Sequence, residues 1–568
     1  MKSMKLIALL LAVVLTLGLA ACGDSGSGST TSSGAATSSG STDSGSSGSA
    51  SSGGSSTGAA QGGAAQTASN DPANTGLSDE TLVVGLASEP STLWGAPEGK
   101  VENEAQIINN ALMDGLVRMD QTTGDIIPAL ATAWEWTDST HCKFTLRDGV
   151  IMTDGSPMTA DDVVYSVNLW TTYSGNNDTG MYLAGATKDD DTHVTIEFNT
   201  VAPDLLAMLT WSNFGIASED EVNAAGGIEA VGRNPVVGCG RYKFVSWTSG
   251  QNVIVERNEN YWDQDYKAYF KTIRFTFTND GASREMAVES GDADVANDLP
   301  VAMAATYANK DNVQTFIYPF GQIMHLWYNM GENAGATKDQ RVRRAIELAL
   351  NLEAMSTVAT GGYGGIAQGF FPSDSKFYNE IYSMDELVVD AAGAQARLDE
   401  AKALLADAGY PDGLDLRILG TQDSVPLYTV IQANLRDIGI NLTIDTPDIP
   451  QFVGGANGGD YDIIVVGDYA DYRYPSLMSF LKWANINTFC IGGPKWTTEE
   501  IENAIYAAIE EPDVAKAKEM FKELELNLKE QTILTNICPE MHGVVIAKDL
   551  KGFSHIERGF LDVTNFYR

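Results

Sequence analysis

Residues 414–466 read LDLRILGTQDSVPLYTVIQANLRDIGINLTIDTPDIPQFVGGANGGDYDIIVV. Apolar residues take every second position in 414–418 and again in 440–444, a spacing that predicts two strands. Between them, apolar residues at helical spacing over 431–438 predict a helix. The apolar run 463–466 is typical of a strand buried on both faces. This order of strand, helix and strand predicts βαβ units and a parallel sheet.

The two halves of the chain differ in their predicted construction. In the second half, apolar stripes over 342–350 and 398–408 predict two helices, the latter stopped by Gly409. In the first half, a helix is expected near 104–112, and alternating strands are expected near 81–86, 144–146, 194–198, 253–255 and 273–277. The sequence therefore predicts a mixed α+β first lobe and a βαβ-type second lobe.

The charge of the chain excludes one class of ligand. The 568 residues contain 36 Lys and Arg against 75 Asp and Glu, for a formal net charge of -39. A nucleic-acid-binding protein needs basic side chains to neutralise phosphates, so we expect no nucleic-acid partner. Hydrophobic residues make up 43% of the chain, which is too many for a chain that is disordered throughout.

The N-terminus has the features of an export signal. Lys2 and Lys5 precede the apolar run 6–20, which is too short to span a bilayer comfortably. The run ends in LAACG at 19–23, which is similar to a bacterial lipobox, so we expect Cys22 to carry a lipid anchor. The alternative is an ordinary signal peptide in which this cysteine occurs by chance.

The segment 23–77 separates this signal from the rest of the chain. It is almost entirely Gly, Ser, Thr and Ala, a composition that cannot bury enough apolar area to fold. We therefore expect a disordered tether with a random-coil span on the order of 40 Å. Residues 1–22 form the predicted signal peptide, and the folded part begins at residue 78.

The sequence contains no motif that favours an enzyme or a cofactor. It lacks a phosphate-binding loop of the form GxxxxGK[ST] and a GxGxxG turn after a strand, and its five histidines lie far apart. We expect no cofactor, no metal site and no catalytic residues. Besides Cys22, four cysteines show no CxxC spacing, and they are either buried thiols or include one disulfide such as Cys490 with Cys538: Cys142, Cys239, Cys490 and Cys538.

Several strings in the first half carry a family resemblance. They are MDGLVR at 113–118, IPALA at 127–131, FTLRDGV at 144–150 and DGSPMTADDV at 154–163. Further strings continue the series in the same order, namely GCGRYKF at 238–244, RVRRA at 341–345 and AKALL at 401–405. Together they resemble the family 5 extracellular solute-binding proteins, the dipeptide-, oligopeptide- and nickel-binding receptors of ABC importers.

This resemblance implies a fold. It is an α/β, two-lobed fold of the type II periplasmic-binding-protein kind, with crossing strands at a hinge and an extra subdomain in lobe I. Lobe I would comprise residues 78–315 plus 535–568, with the extra subdomain at about 130–232. Lobe II would comprise residues 316–534. Ligand binding would favour the closed arrangement of the two lobes.

The resemblance also implies where a ligand binds. Asp471 falls on the position of the aspartate that takes the peptide ammonium in peptide-binding members, and Gly467 and Tyr469 would offer main-chain pairing. Ser88 and Trp94 lie in the loop where the first strand of the family meets ligand. The alternatives are that Asp471 is a surface residue in a Tyr-rich loop and that Trp94 belongs to the core.

The implied function is capture of extracellular peptides for an ABC importer. An oligopeptide is favoured over a dipeptide, because 422–424 lacks the arginine that grips the carboxylate in dipeptide-specific members. The expected partners are the peptide, the ABC permease and ATPase subunits, and the outer face of the cell membrane through the lipid anchor, with the receptor as a monomer. The alternatives are a nickel complex, for which His325 is the candidate, a cationic small molecule, or a role as a peptide-signal receptor.

Overall fold

The computed structural model describes most of the chain from residue 76 onward. The described residues are 76–93, 103–120, 124–172, 183–199, 205–227, 231, 238–266, 268–331, 334–373, 375–469, 499–555 and 559–568. Within these ranges, no helix is both long enough and apolar enough to cross a membrane.

The first half of the fold is rich in strands. Its strands are β1 (Thr81–Leu86), β2 (Val117–Met119), β3 (Ile126–Pro128), β4 (Ala131–Trp136), β5 (His141–Leu146), β6 (Leu183–Asp190), β7 (His193–Phe198), β8 (Tyr242–Thr248), β9 (Asn252–Arg257), β10 (Thr272–Phe277) and β11 (Val295–Leu299). Its helices are α1 (Asn103–Leu112), α2 (Ala160–Thr172), α3 (Leu205–Met208), α4 (Glu219–Ala224), α5 (Gly281–Ser290) and α6 (Val301–Tyr307).

The second half alternates helices and strands. Its strands are β12 (Val313–Tyr328), β13 (Leu414–Leu419), β14 (Ile440–Asp445), β15 (Ile463–Tyr469) and β16 (Leu534–Ala547). Its helices are α7 (Gln340–Ala349), α8 (Leu352–Thr360), α9 (Met384–Leu387), α10 (Ala391–Asp407), α11 (Val425–Arg436), α12 (Ile449–Gly458), α13 (Glu499–Ile509) and α14 (Val514–Gln531).

One sheet of ten strands runs through both halves, in the order β14-β13-β15-β12-β16-β11-β1-β10-β9-β8. Strands β13 and β14 pair in parallel and are joined by α11, as the alternation in 414–444 predicts. Strand β1 pairs in parallel with both β10 and β11. The predicted strand–helix–strand unit is thus confirmed, and each half contributes parallel strands to the common sheet.

The two longest strands, β12 and β16, join the halves. They pair antiparallel from Val313 opposite Ala547 to Trp327 opposite Leu534, and their register shifts between Pro319 and Ile323. On one side β16 pairs with β11, and on the other β12 pairs with β15. These two crossing strands are therefore the elements that both halves share, in agreement with the two-lobed type II fold.

A separate antiparallel sheet of four strands, in the order β4-β5-β7-β6, lies within the first half. Helix α2 packs on this sheet and begins with a reciprocal cap. Thr159 N donates to Asp162 Oδ2 at 2.8 Å, and Asp162 N donates to Thr159 Oγ1 at 3.2 Å. This contact satisfies two amide groups at the helix start, as the spacing of Thr159 and Asp162 predicts.

Candidate functional site

Strands β11 and β15, one from each half, end beside the same segment of the crossing strands. Leu299, the last residue of β11, lies opposite Gly543 of β16. Tyr469, the last residue of β15, lies opposite Gln322 of β12, and the next residue, Ile323, faces Pro539 of β16. Ligands of open α/β sheets bind where the carboxyl ends of strands meet at a change in topology. The region around 319–324 and 538–543 is therefore the candidate site.

Gly467 lies in this region with little space around its Cα atom. A Cβ atom at this position would overlap Gln322 Oε1 and lie 2.8 Å from Glu540 Oε2. A larger residue here would require the ends of the Gln322 and Glu540 side chains to shift, because the backbone of β15 approaches both of them. Gln322 is itself buried.

The free edge of β15 is the second feature of the site. On one side, β15 pairs with β12 over its whole length from Ile463 to Tyr469. On the other side, it pairs with β13 only at Ile463 and Ile464. Among the described residues, no strand pairs with that side of β15 from 465 to 469. An unpaired edge exposes main-chain donors and acceptors that an extended chain can use.

Three ionisable side chains form a cluster beside Gly467. His542 Nδ1 lies 3.1 Å from Asp298 Oδ1, and His542 Nε2 lies 3.3 Å from Glu540 Oε1. Phe320 stacks on the imidazole with the ring centroids 3.8 Å apart. Asp298 itself has a φ angle of 54°, in the left-handed region that non-glycine residues seldom adopt. The end of β11 is therefore held in an unusual backbone conformation next to the crossing strands.

The two carboxylates keep the imidazole of His542 charged. Burial lowers the pKa of His542, but the hydrogen bonds and negative charges of Asp298 and Glu540 outweigh it and raise the pKa to about 9. Burial raises the pKa of Asp298, yet its hydrogen bond with His542 and the charge of that ring bring the pKa below its usual value. At neutral pH the imidazole of His542 is thus protonated, and Asp298 beside it is ionised.

Glu89 anchors the loop after β1 to other residues of the first half. Trp247 Nε1 donates to Glu89 Oε1 at 2.7 Å, and Gly250 N donates to Glu89 Oε2 at 2.9 Å. Ser88 is exposed, and its backbone N–H donates to Glu104 Oε1 at 3.1 Å. Its main-chain donor is therefore already used within the protein.

The predicted binding residues are only partly within the described ranges. Gly467 and Tyr469 lie in the second half of β15, at the free edge, and Ser88 lies in the anchored loop. Trp94, Asp471 and the predicted lipid-bearing Cys22 lie outside the described residues. The structure adds Asp298, Glu540 and His542, which the sequence analysis missed. Glu540 and His542 stand two residues apart and so on one face of a strand, a signal for their proximity.

His325, the candidate for a nickel complex, is fully buried. Its Nδ1 lies 2.9 Å from Asn536 Oδ1, and the amide of Asn536 donates to the carbonyl of Gly369 at 2.8 Å. This ring belongs to the interior and does not face a cleft. Within the described ranges, no three His, Cys, Asp or Glu side chains are grouped to hold a metal ion.

Three of the four downstream cysteines are within the described residues. Cys142, Cys239 and Cys538 are free and buried. Burial raises the pKa of Cys538 to about 12, with a further contribution from the charge of Glu540, so this thiol is unreactive at neutral pH. Cys490, its suggested disulfide partner, lies outside the described residues. Of the two alternatives, the structure has Cys538 as a buried free thiol.

Comparison with known proteins gives consistent matches. The family model described as bacterial extracellular solute-binding proteins, family 5 middle, matches residues 125–489. The periplasmic murein peptide-binding protein MppA of Escherichia coli K12 is 25% identical over 522 residues, which cover 86% of this chain and 93% of that protein. The periplasmic oligopeptide-binding protein OppA of Salmonella typhimurium is 25% identical over 455 residues, covering 73% and 79% respectively.

Solved structures share the fold. The ABC transporter substrate-binding protein CtaP of Listeria monocytogenes superposes with a TM-score of 0.74 at 19% identity, over 86% of this chain and 99% of that chain. The ABC transporter-associated periplasmic binding protein DppA of Helicobacter pylori, in complex with the peptide STSA, superposes with a TM-score of 0.71 at 20% identity, over 86% of this chain and 98% of that chain. The architecture described above is therefore one that known extracytoplasmic binding proteins adopt.

Proposed function

The chain belongs to the bacterial extracellular solute-binding proteins of family 5, and from this membership we propose that the solute it binds is a peptide. Members of this family bind solutes and are not enzymes, so the chain is a solute-binding protein of an ABC transporter. The relatives MppA and OppA are named for murein peptide and oligopeptide binding. The single observation that carries the proposal is the free edge of β15 from 465 to 469 beside the crossing strands.

The proposed mode of binding is strand addition. An extended peptide would pair with the main chain of β15 at Gly467 and Tyr469, which gives affinity that does not depend on its side chains. Asp471 would accept the peptide ammonium in a charge-assisted hydrogen bond. Ser88 and Trp94 would contact the peptide from the first half. A ligand held by both halves favours their closed arrangement, since those contacts exist together only when the lobes are closed.

The proposed lobes are residues 78–315 plus 535–568, with the extra subdomain at about 130–232, and residues 316–534. Both lobe boundaries fall within the crossing strands β12 and β16. The lobes could close there through a change of conformation at only a few residues. Small-angle X-ray scattering tests this arrangement, because peptide binding would reduce the radius of gyration. An unchanged radius at saturating peptide would contradict closure of the lobes.

We also propose that the peptide is longer than two residues. The turn 422–424 follows β13 and contains no arginine to bind the carboxylate of a dipeptide. Calorimetric titration of the purified full chain with dialanine and with tetraalanine tests the length preference. We expect tetraalanine to bind at least about tenfold more tightly. Tight binding of dialanine with no binding of tetraalanine would overturn the length preference, and a failure of both peptides and of longer ones would overturn peptide binding.

The proposed location is the outer face of the cell membrane, with Cys22 bearing the lipid anchor and 23–77 as the tether. The receptor would act as a monomer that delivers its ligand to an ABC permease and its ATPase subunits. A Cys22→Ser variant would test the anchor, because it would be released from the membrane fraction while keeping its affinity for peptide. Retention of that variant in the membrane fraction would contradict the assignment.

A further inference from the structure

A cavity away from the candidate site lies between three helices and the first residues of β16. Its volume is about 160 Å³, and helices α7, α10 and α14 contribute Arg344, Arg397 and Lys529 to its wall. Thr535 and Asn536 of β16 complete the wall. Asn536 is four residues from Glu540 along the same strand, a separation of about 13 Å. The cavity is thus a different place from the free edge of β15.

The charges around this cavity do not balance. Arg344 pairs with Glu347, and Lys529 Nζ lies 2.9 Å from Glu386 Oε1. Arg397 donates only to the main-chain carbonyls of 386 and 387 and forms no ion pair with a carboxylate of the described residues. Three basic side chains and the two carboxylates of Glu347 and Glu386 thus line the cavity, which leaves an excess of one positive charge in a chain whose net charge is strongly negative.

The charge of Arg397 is only partly compensated. Burial and the charge of Arg344 lower the pKa of Arg397, and the charges of Glu347, Glu386 and Glu400 oppose this without outweighing it. An anion in the cavity would interact favourably with both guanidinium groups, which are suited to hold a carboxylate through two parallel hydrogen bonds.

The hydroxyl of Tyr382 is the second group at this cavity that points to a ligand. Tyr382 lines the cavity and is only 6% exposed. Its hydroxyl has no hydrogen-bond partner within the part of the chain that the structure describes. Lys529 Nζ lies 4.3 Å from the centre of the ring and so does not take the place of such a partner. A buried donor without a partner costs free energy that a bound acceptor recovers.

Apart from Glu347 and Glu386, which are paired with Arg344 and Lys529, the remaining wall is apolar. The side chains of Leu348, Leu350, Leu352 and Leu387 line this cavity and also a neighbouring one of about 220 Å³, with which it shares Arg397. A purely inorganic anion would leave these leucines without contact. A ligand with one negative end and a short branched alkyl part fits both kinds of wall.

We propose that this cavity binds a small monocarboxylate, whose carboxylate accepts hydrogen bonds from Arg397 and Tyr382 and whose alkyl part packs on the leucines. The site is distinct from the peptide site and does not depend on peptide binding. It would make the protein sensitive to a second class of small molecule.

Calorimetric titration of the purified full chain with sodium isovalerate tests the proposal. We expect saturable binding with a Kd of roughly 1 mM or below. Arg397→Gln should weaken binding at least about tenfold, because it removes a charge-assisted hydrogen bond. Tyr382→Phe removes a single oxygen atom and should weaken binding about threefold or more. The matched control is Arg274→Gln, which removes the same charge from an exposed position on β10 and should leave the Kd unchanged.

The phenylalanine variant decides the outcome, because it keeps the shape of the side chain and so preserves the fold. Unchanged isovalerate binding in Tyr382→Phe would overturn the proposal, as would the absence of saturable binding in the unmodified chain. Sodium sulfate has the charge without the alkyl part and should bind more weakly than isovalerate. Tighter binding of sulfate would overturn the assignment of the ligand as a carboxylate with an apolar part.

Discussion

His542 Nδ1 lies 3.1 Å from Asp298 Oδ1, and this contact ties crossing strand β16 to the end of β11. The other ring nitrogen of His542 contacts Glu540, whose carboxylate stands next to Gly467 of β15. A continuous row of side chains thus connects the strand ends of the two halves. Because each link is polar, the strength of these contacts depends on the charge of the imidazole.

The first prediction concerns stability against pH. The pKa of His542 rises from 6.5 to about 9 on folding, so the protonated ring stabilises the folded state fully below about pH 6.5. This contribution is lost as the pH rises through 9. We expect His542→Gln to lower the free energy of unfolding on the order of 3 kcal/mol near pH 6, and by much less at pH 10. Urea unfolding at a series of pH values measures this difference.

The matched control for this experiment is His193→Gln. His193 is a partly exposed histidine on β7, and its Nδ1 lies 2.9 Å from Asp190 Oδ1. Because exposed ion pairs contribute little, its substitution should change the free energy of unfolding by less than about 1 kcal/mol at every pH. A difference between wild type and His542→Gln that stays constant from pH 6 to pH 10 would show that the imidazolium does not stabilise the fold.

The second prediction concerns the close approach at Gly467. A Gly467→Ala substitution would place its Cβ atom against Gln322 and 2.8 Å from Glu540 Oε2. We expect a loss of stability of about 1–3 kcal/mol, because both side chains must shift, together with weaker peptide binding. Adding Gln322→Ala should recover part of the stability. Gly458→Ala is the control, since a Cβ atom there meets nothing within 4 Å. Equal stability of the two alanine variants would refute the steric argument.

The third prediction concerns Asp471. If its carboxylate accepts the peptide ammonium, Asp471→Asn should weaken binding of a tetrapeptide with a free amino terminus by roughly 10- to 100-fold. The same substitution should have little effect on an N-acetylated peptide, which binds weakly to both proteins. Asp311→Asn, at an exposed position before β12, serves as the control. An equal loss for free and acetylated peptides would mean that Asp471 does not contact the ammonium.

The fourth prediction concerns the start of α2. Asp162 Oδ1 also accepts from the backbone N–H of Glu219 at 2.9 Å, so the cap joins two helices. Thr159→Ala should lower the free energy of unfolding by about 1 kcal/mol, because one amide at the helix start loses its acceptor. Thr429→Ala, at an exposed position inside α11, should change it by less than about 0.5 kcal/mol. Indistinguishable unfolding of the two variants would contradict the role of the cap.

The regular elements of the second half could be predicted from local patterns. The alternation in 414–418 and 440–444 corresponds to β13 and β14, and the apolar stripe over 342–350 corresponds to α7, which ends at Ala349. Local periodicity suffices in these cases because each element buries one face against its neighbours. The cap of Thr159 and Asp162 was also predictable, because its two partners are only three residues apart.

The crossing strands and the ionisable cluster could not be predicted in this way. Strand β12 is mostly buried over 16 residues and carries no clear alternation, so its length depends on partners more than 200 positions away. Asp298 meets His542 only because β11 and β16 pair in the folded sheet. No spacing in the sequence encodes such a contact. The free edge of β15 likewise depends on where β13 ends, which the sequence of β15 does not specify.

The central claim is that the protein binds peptides, and native mass spectrometry of the protein purified from its own host tests it most directly. This measurement reports the mass of whatever ligand remains bound without a choice of candidates. We predict bound masses that resolve, on fragmentation, into peptides of three or more residues, and their loss from Asp471→Asn. A bound nickel complex or another solute that is not a peptide would contradict the claim.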